Sequence, residues 1–215
     1  MSHVKNVQEI RNRARERISE GALTQDYTLD RDQAVAVLNE ALATELVCVL
    51  RYKYHYFMAT GIHSQSAKDE FLEHAKEEQE HADEIAERIK QLGGKPEMNP
   101  EGLTARSHSE YKEGASVTEM LKEDLIAERI AIESYREMIR FFGDRDPTTR
   151  RMLEGILAVE EEHADDIADL LFAQSEGETR RLYSEDEVPT LSKAGQPVAP
   201  GGGGQDKGSR GSERH

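Results

Sequence analysis

The chain is expected to be all-α, a bundle of four long helices arranged as two antiparallel hairpins. Three observations carry that expectation. Apolar residues recur at three- and four-residue steps through most of residues 30–175, with no sustained two-residue alternation of the kind a half-buried strand shows. Glu, Ala, Leu and Arg, all strong helix formers, dominate the same stretch. The segments between the periodic stretches come as two short connections and one long one.

Taken in order, the first long helix runs from about Asp30, a capping residue, to Thr60, where Gly61 stops it. The second runs from about Ser66 to Leu92 and stops at Gly93-Gly94. The third runs from about Ser116 to Phe142 and stops at Gly143. The fourth starts near Pro147, whose fixed φ and missing N–H suit a first turn, and ends near Ser175. Residues 5–20 read as a short extra helix.

Connections of about five residues (first to second) and about four (third to fourth) make each pair antiparallel neighbours. About 23 residues containing Pro96, Pro100 and Gly102 separate the second helix from the third. A 26-residue helix is about 39 Å long, and 23 extended residues reach roughly 75 Å. The long segment can therefore run the length of the bundle and return. The division expected is an N-terminal extension over 1–29, the bundle over 30–175 and a tail over 176–215. Seven of the 16 glycines fall in the last 32 residues, with Pro189, Pro197 and Pro200. Such a composition buries too little apolar surface to offset chain entropy, so the Gly-rich tail is expected to be disordered.

The formal charge of the 215 residues is −15, and it is concentrated in residues 21–183, which carry −16. Binding nucleic acid over a broad surface needs a basic footprint, which this chain lacks. No apolar run exceeds five residues, as in Leu46–Leu50, so neither a membrane span nor a secretory leader is expected. The single cysteine, Cys48, forbids an intramolecular disulfide and any four-cysteine metal centre. A reducing, cytoplasmic setting fits that usage.

The inward stripe of every long helix is interrupted near its middle by a carboxylate. The first reads Leu38, Leu42, Glu45, Val49, Tyr52, Tyr56; the second Ala67, Phe71, His74, Glu78, His81, Ile85. The third reads Val117, Leu121, Asp124 or Leu125, Glu128, Ala131, Tyr135; the fourth Met152, Ile156, Glu160, His163, Ile167, Leu170. In the second and fourth, a histidine follows the Glu by three residues. The midpoint of Glu45 and Glu78 falls at 61.5, and that of Glu128 and Glu160 at 144, each inside a hairpin turn. Residues equidistant from a turn sit at one height, so each hairpin sets one Glu opposite a Glu-x-x-His pair. The pattern Glu-x32-Glu-x2-His recurs as Glu-x31-Glu-x2-His, an internal pseudo-repeat.

One Glu-x-x-His alone is a weak signal, since acidic helices produce it by chance. Glu77, Glu80, Glu84, Glu161 and Glu162 read as solvated faces or as supports for ligands. Two motifs mirrored by two glutamates at matching height are a different matter. Four carboxylates facing one interior cannot all ionise there uncompensated. Two divalent cations bring +4 against the −4 of Glu45, Glu78, Glu128 and Glu160, and His81 and His163 add one nitrogen donor each. Mixed oxygen and imidazole ligation suits Fe, Mn or Zn better than Mg or Ca.

The stretches NEALATELVCVLRYKYHYF, EHAKEEQEHADEIAERI, LKEDLIAERIAIESYREMI and ILAVEEEHADDI resemble the ferritin-like di-iron carboxylate superfamily, and within it the bacterioferritin branch. The resemblance spans about residues 30–173 and implies a ferritin-like four-helix bundle, two hairpins with one long crossover. It implies Glu45 and Glu128 as terminal ligands, Glu78 and Glu160 as bridging ligands, and His81 and His163 completing a site for two Fe ions per subunit, with Mn or Zn as substitutes. Tyr52, seven residues after Glu45, matches a family tyrosine beside the site; Tyr135 stands in the same relation to Glu128 but reads first as a core aromatic. Gln79 stands where bacterioferritin has its haem-binding Met, so haem is not expected. The missing Met and weak fifth helix favour the Dps-like variant, whose shell has 12 subunits rather than 24.

The function this implies is ferroxidase and iron storage or detoxification: Fe2+ oxidised by O2 or H2O2 at the intra-subunit pair, and ferric product held in a hollow homo-oligomeric shell. The alternatives are a di-iron or Mn/Fe oxidase of an organic substrate and a DNA-protecting Dps-like protein. DNA is not expected as a partner, because on a helix Arg11, Arg13, Arg15 and Arg17 spread round the surface and pair with Glu9, Glu16 and Glu20.

Overall fold

The computed structural model describes residues 6–61 and 64–182, with side chains as far as Ala173. In chain order its helices are α1 (Val7–Arg13), α2 (Arg31–Met58), α3 (Gln65–Gln91), α4 (Leu103–Arg106), α5 (Val117–Phe142) and α6 (Pro147–Leu182). Helices α2 and α3 form one antiparallel hairpin and α5 and α6 the other, and the hairpins meet along the α2–α5 and α3–α6 seams. No strand occurs among the described residues.

Local chemistry sets the helix starts. Asp30 caps α2, its carboxylate accepting from the N–H groups of Asp32 and Gln33. Ser116 caps α5 by accepting from Glu119 N, while Glu119 reaches back to accept from Ala115 N at 2.8 Å. Asp146 precedes Pro147 and accepts from both the N–H and the hydroxyl of Thr149. It also pairs with Arg88 of α3 at 2.9 Å and accepts from Tyr27, so one cap ties both hairpins to the N-terminal segment. α5 ends at Gly143, whose φ of 47° and ψ of −137° lie where a side chain is strained.

The crossover lies along α2. Asn39 brackets its start, donating to Lys95 O and accepting from Glu97 N. Thr44 accepts from His108 N at 2.9 Å, and Leu103 packs into a small cluster with Ala43, Val47 and Leu46. Further along, Arg51 and His55 reach it from beneath. Arg51 Nη1 donates to Glu110 O at 3.1 Å, and His55 Nε2 lies 3.0 Å from Lys112 O. Both side chains also meet Asp124 of α5, Arg51 Nε and His55 Nδ1 each at 2.7 Å, and all three residues are fully buried. This cluster clamps crossover, α2 and α5 together.

Three expectations need correction. The helix expected over 5–20 is split: α1 ends at Arg13, Arg17 takes a left-handed φ of 52°, and a single 3-10 turn covers Ile18–Glu20. α1 buries no residue, so no packing holds the longer helix together. α6 runs on to Leu182, past the Ser175 end expected, because a helix interior tolerates one Gly (Gly177) at a cost of about 1 kcal/mol among good helix formers. The disordered tail, as far as it concerns residues 183–215, lies outside the described residues. Finally, α2 is long and apolar enough by length and composition to cross a bilayer, with mean hydropathy 1.5 over 18 residues. Counting unbroken apolar runs missed this. Leu38, Leu42, Val47 and Val49 of α2 are buried in the bundle beside Glu45, Arg51 and His55, whereas Leu50, Phe57 and Met58 are exposed.

Candidate metal centre

Halfway along the bundle the apolar core is divided. One cluster, with Leu38, Leu42, Ile85, Phe142 and Leu153, fills one end, and another, with Phe71, Leu121 and Ile167, the other. Between them lie Glu45 of α2, Glu78 and His81 of α3, Glu128 of α5, and Glu160 and His163 of α6, all buried. The structure thus brings together all six residues singled out as ligands. Their donor atoms form two overlapping groups, Glu45–Glu78–His81–Glu160 and Glu78–Glu128–Glu160–His163, each with its atoms within 4.8 Å of one another. Glu78 and Glu160 belong to both groups.

His81 Nδ1 lies 3.0 Å from Glu160, 3.4 Å from Glu45 and 3.6 Å from Glu78. His163 Nδ1 stands 3.9 Å from one oxygen each of Glu78, Glu128 and Glu160. Among the described residues, eleven buried side-chain N or O atoms have no hydrogen-bond partner, and seven belong to these six residues. Polar atoms orphaned together in a core are costly. Here they converge on two points, each faced by three carboxylates and an imidazole, a donor set that fits Fe, Mn or Zn.

The groups around the six hold them in place. Tyr52 donates its hydroxyl proton to Glu128, and Tyr135 donates to Glu45. Each tyrosine serves the carboxylate of the opposite hairpin. Tyr135, expected first as a core aromatic, therefore does the same work as Tyr52. His163 Nε2 lies 2.8 Å from Glu77, which fixes Nδ1 as the atom facing the centre. Glu161, by contrast, is exposed and pairs with Arg136, and Glu80, Glu84 and Glu162 are also exposed. Gln79 bonds Asp83 of its own helix. Sequence reasoning placed His74 in the inward stripe but gave it no role; its ring stacks on His163 with centroids 3.9 Å apart.

Charge is divided among the carboxyls. Burial, and then the neighbouring carboxylates, hold Glu78 and Glu160 well above the usual range. Burial also opposes ionisation of Glu45 and Glu128, but the closeness of Glu78 and His81 outweighs it at Glu45, and that of His163 and Glu160 brings Glu128 down to about 2. Burial disfavours charge on His81, yet Glu45 and Glu78 raise it to about 10, and His163 is raised by Glu128 and Glu77 against the same opposition. The shifts all run toward neutrality of the metal-free centre, with two carboxyls raised, two lowered and both imidazoles raised. Two divalent cations would replace the extra protons on Glu78, Glu160, His81 and His163 at constant charge.

Filling the centre is accordingly expected to release protons, more than one per chain, because all four of these groups are raised. Because protons compete with cations for these raised groups, apparent affinity weakens as pH falls. Zn2+ titration calorimetry in buffers of different ionisation enthalpy measures the release; one proton or none would contradict this account. Tyr135→Phe is expected to weaken cation affinity or oxidation rate about tenfold, as loss of a ligand-orienting group does elsewhere. The same calorimetry and an iron oxidation assay read that loss, and unchanged values would remove the tyrosine from the site.

The ferritin-like domain family matches residues 35–173. A Synechococcus relative, a nutrient stress-induced DNA-binding protein, is 33% identical over 143 residues, 64% of this chain and 80% of its own length. A bacterioferritin of Desulfovibrio desulfuricans is 31% identical over 133 residues, 61% of this chain and 70% of that protein. Among solved structures, a dodecameric thioferritin, the bacterioferritin-related protein of Bacteroides fragilis, superposes with a TM-score of 0.68 at 31% identity, covering 72% of this chain and 93% of that one.

Proposed function

Because the chain belongs to the ferritin-like family, we propose that it is a ferroxidase that stores and detoxifies iron. The observation that carries this reading is the convergence of seven orphaned donor atoms from Glu45, Glu78, His81, Glu128, Glu160 and His163. Two Fe2+ ions are the substrate. Oxidation of the pair passes two electrons to one acceptor: H2O2 takes them with two protons to give two waters, or O2 takes them with two protons to give H2O2. The chain's own residues bind and orient. Glu45 and Glu128 are ionised before a cation arrives, Glu78 and Glu160 are shared between the two positions, and the tyrosines hold the terminal carboxylates. Burial, and then the facing carboxylates, push both tyrosine hydroxyls far above their usual pKa, so they remain donors.

Anaerobic Fe2+ titration followed by air or H2O2 tests the reading. Saturation near about two Fe2+ per chain with fast oxidation is expected; oxidation no faster than in buffer overturns it. Storage also needs a closed shell. The dodecameric assembly of the Bacteroides relative supports twelve copies, which at 24.2 kDa each total about 290 kDa. A monomer or dimer in solution would favour an oxidase acting on an organic substrate instead.

The Synechococcus relative's name stands against the expectation that DNA is not a partner. DNA protection is therefore the second reading. The N-terminal arginines are partly spent within the chain: half-buried Arg13 pairs with Asp26 at 2.9 Å and exposed Arg17 with Glu20 at 3.8 Å. A gel shift at low salt decides between the readings.

A further inference from the structure

Beside the six-residue centre, between α3 and α6, lies a cavity of about 260 Å3. Glu70, Glu73, Glu77, Glu162 and Asp166 line it with no lysine or arginine among them, and His74 and His163 are the two rings it reaches. His74 is 1% exposed. Its Nδ1 lies 3.3 Å from the Tyr52 oxygen. Tyr52 has one proton and gives it to Glu128, so toward His74 its oxygen accepts, and Nδ1 carries the hydrogen. That leaves Nε2 as a bare lone pair. Nε2 has no hydrogen-bond partner: Glu70 Oε1 comes within 3.2 Å of it but off the ring axis.

Two electron-rich atoms so close, in a cavity lined with carboxylates, are reconciled by a cation between them. Asp166 supplies a third donor, with the ligand atoms of Glu70, His74 and Asp166 all within 4.8 Å of one another. Ligands about 2.1 Å from one ion stand about 3.0–3.5 Å apart, so small side-chain rotations close the set. A competing trio, His74, Glu77 and His163, is geometrically close but chemically committed. The second nitrogen of His163 needs its proton for Glu77, 2.8 Å away.

We propose that Glu70, His74 and Asp166 form a third divalent-cation site, for a first-row transition ion, beside the centre and separated from it by the His74–His163 ring stack. One imidazole and two carboxylates select Zn2+, Mn2+ or Fe2+ over Ca2+. Asp166 is exposed and Glu70 half-buried, so water completes the coordination and the ion exchanges with solvent. The site goes beyond the ferroxidase reading and requires no oxidation.

Zn2+, which is not oxidised, is the probe. Crystals of the full-length protein soaked in Zn2+ are expected to show an anomalous peak within bonding distance of His74 Nε2, Glu70 and Asp166. In solution, the metal-free protein takes up about three Zn2+ per chain and the Glu70→Gln/Asp166→Asn variant about two, since the centre's ligands are untouched. Absence of the peak, or an unchanged stoichiometry in the variant, overturns the proposal. The two sites fail separately. Uptake of a single Zn2+ that the variant abolishes would uphold this site and defeat the paired centre, whereas two ions retained by both proteins would do the reverse.

Discussion

Glu78→Ala is expected to abolish the fast phase of Fe2+ oxidation, a loss of at least about a hundredfold, larger than the 10–100-fold typical of an indirect support. Glu78 belongs to both donor groups, so its removal deprives both cation positions at once. The same variant should fold as well as the parent. Glu78 Oε1 is orphaned, and burial disfavours its ionisation, so its removal relieves a buried polar atom while withdrawing the support it gives Glu45 and His81. Stopped-flow absorbance should show the lost phase. Scanning calorimetry should show a metal-free Tm near the parent's but a much smaller rise on adding Zn2+, since only the native state gains from binding. A variant that oxidises iron at the parent rate would remove Glu78 from the chemistry.

The largest effect on stability is expected at Asp124, away from the ligands. Asp124→Ala leaves Arg51 and His55 buried without their shared carboxylate. Breaking a buried pair in this way costs about 3–5 kcal/mol, which for a domain of this size lowers Tm by roughly 6–20 °C. Replacing all three together, as Arg51→Met, His55→Phe and Asp124→Leu, should recover most of the loss, because no charge is then left stranded. Thermal unfolding of the two variants makes the comparison. A single variant as stable as the parent would show that the cluster does not clamp the crossover.

Height along a helix is legible in a sequence, and azimuth partly so. That is why equal distances from the Gly61 and Gly143 turns sufficed to bring Glu45, Glu78, Glu128 and Glu160 to one level, and why Glu-x-x-His put each imidazole on the same face. Which neighbour a side chain reaches across a seam is not encoded locally. Tyr52 lies about 10.5 Å along the axis from Glu45, too far to bond it, and the choice of Glu128 depends on how the hairpins dock. Asp124 was placed on the inward stripe, but its partners are 73 and 69 residues away. The role of His74 was hidden for the same reason, since its tautomer is set by a hydroxyl on another helix. The two misplaced boundaries have different causes. α1 lacks an apolar face to bury, and in α6 the inward stripe legible in the sequence ends at Leu170, before the helix does.

The crossed tyrosines make the two halves of the bundle an interlock. Each half carries one key and one lock, so sliding one past the other by a single helical turn, about 5.4 Å, would undo both fastenings together. The two hydrogen bonds therefore fix the register of one hairpin against the other as well as the carboxylates they hold.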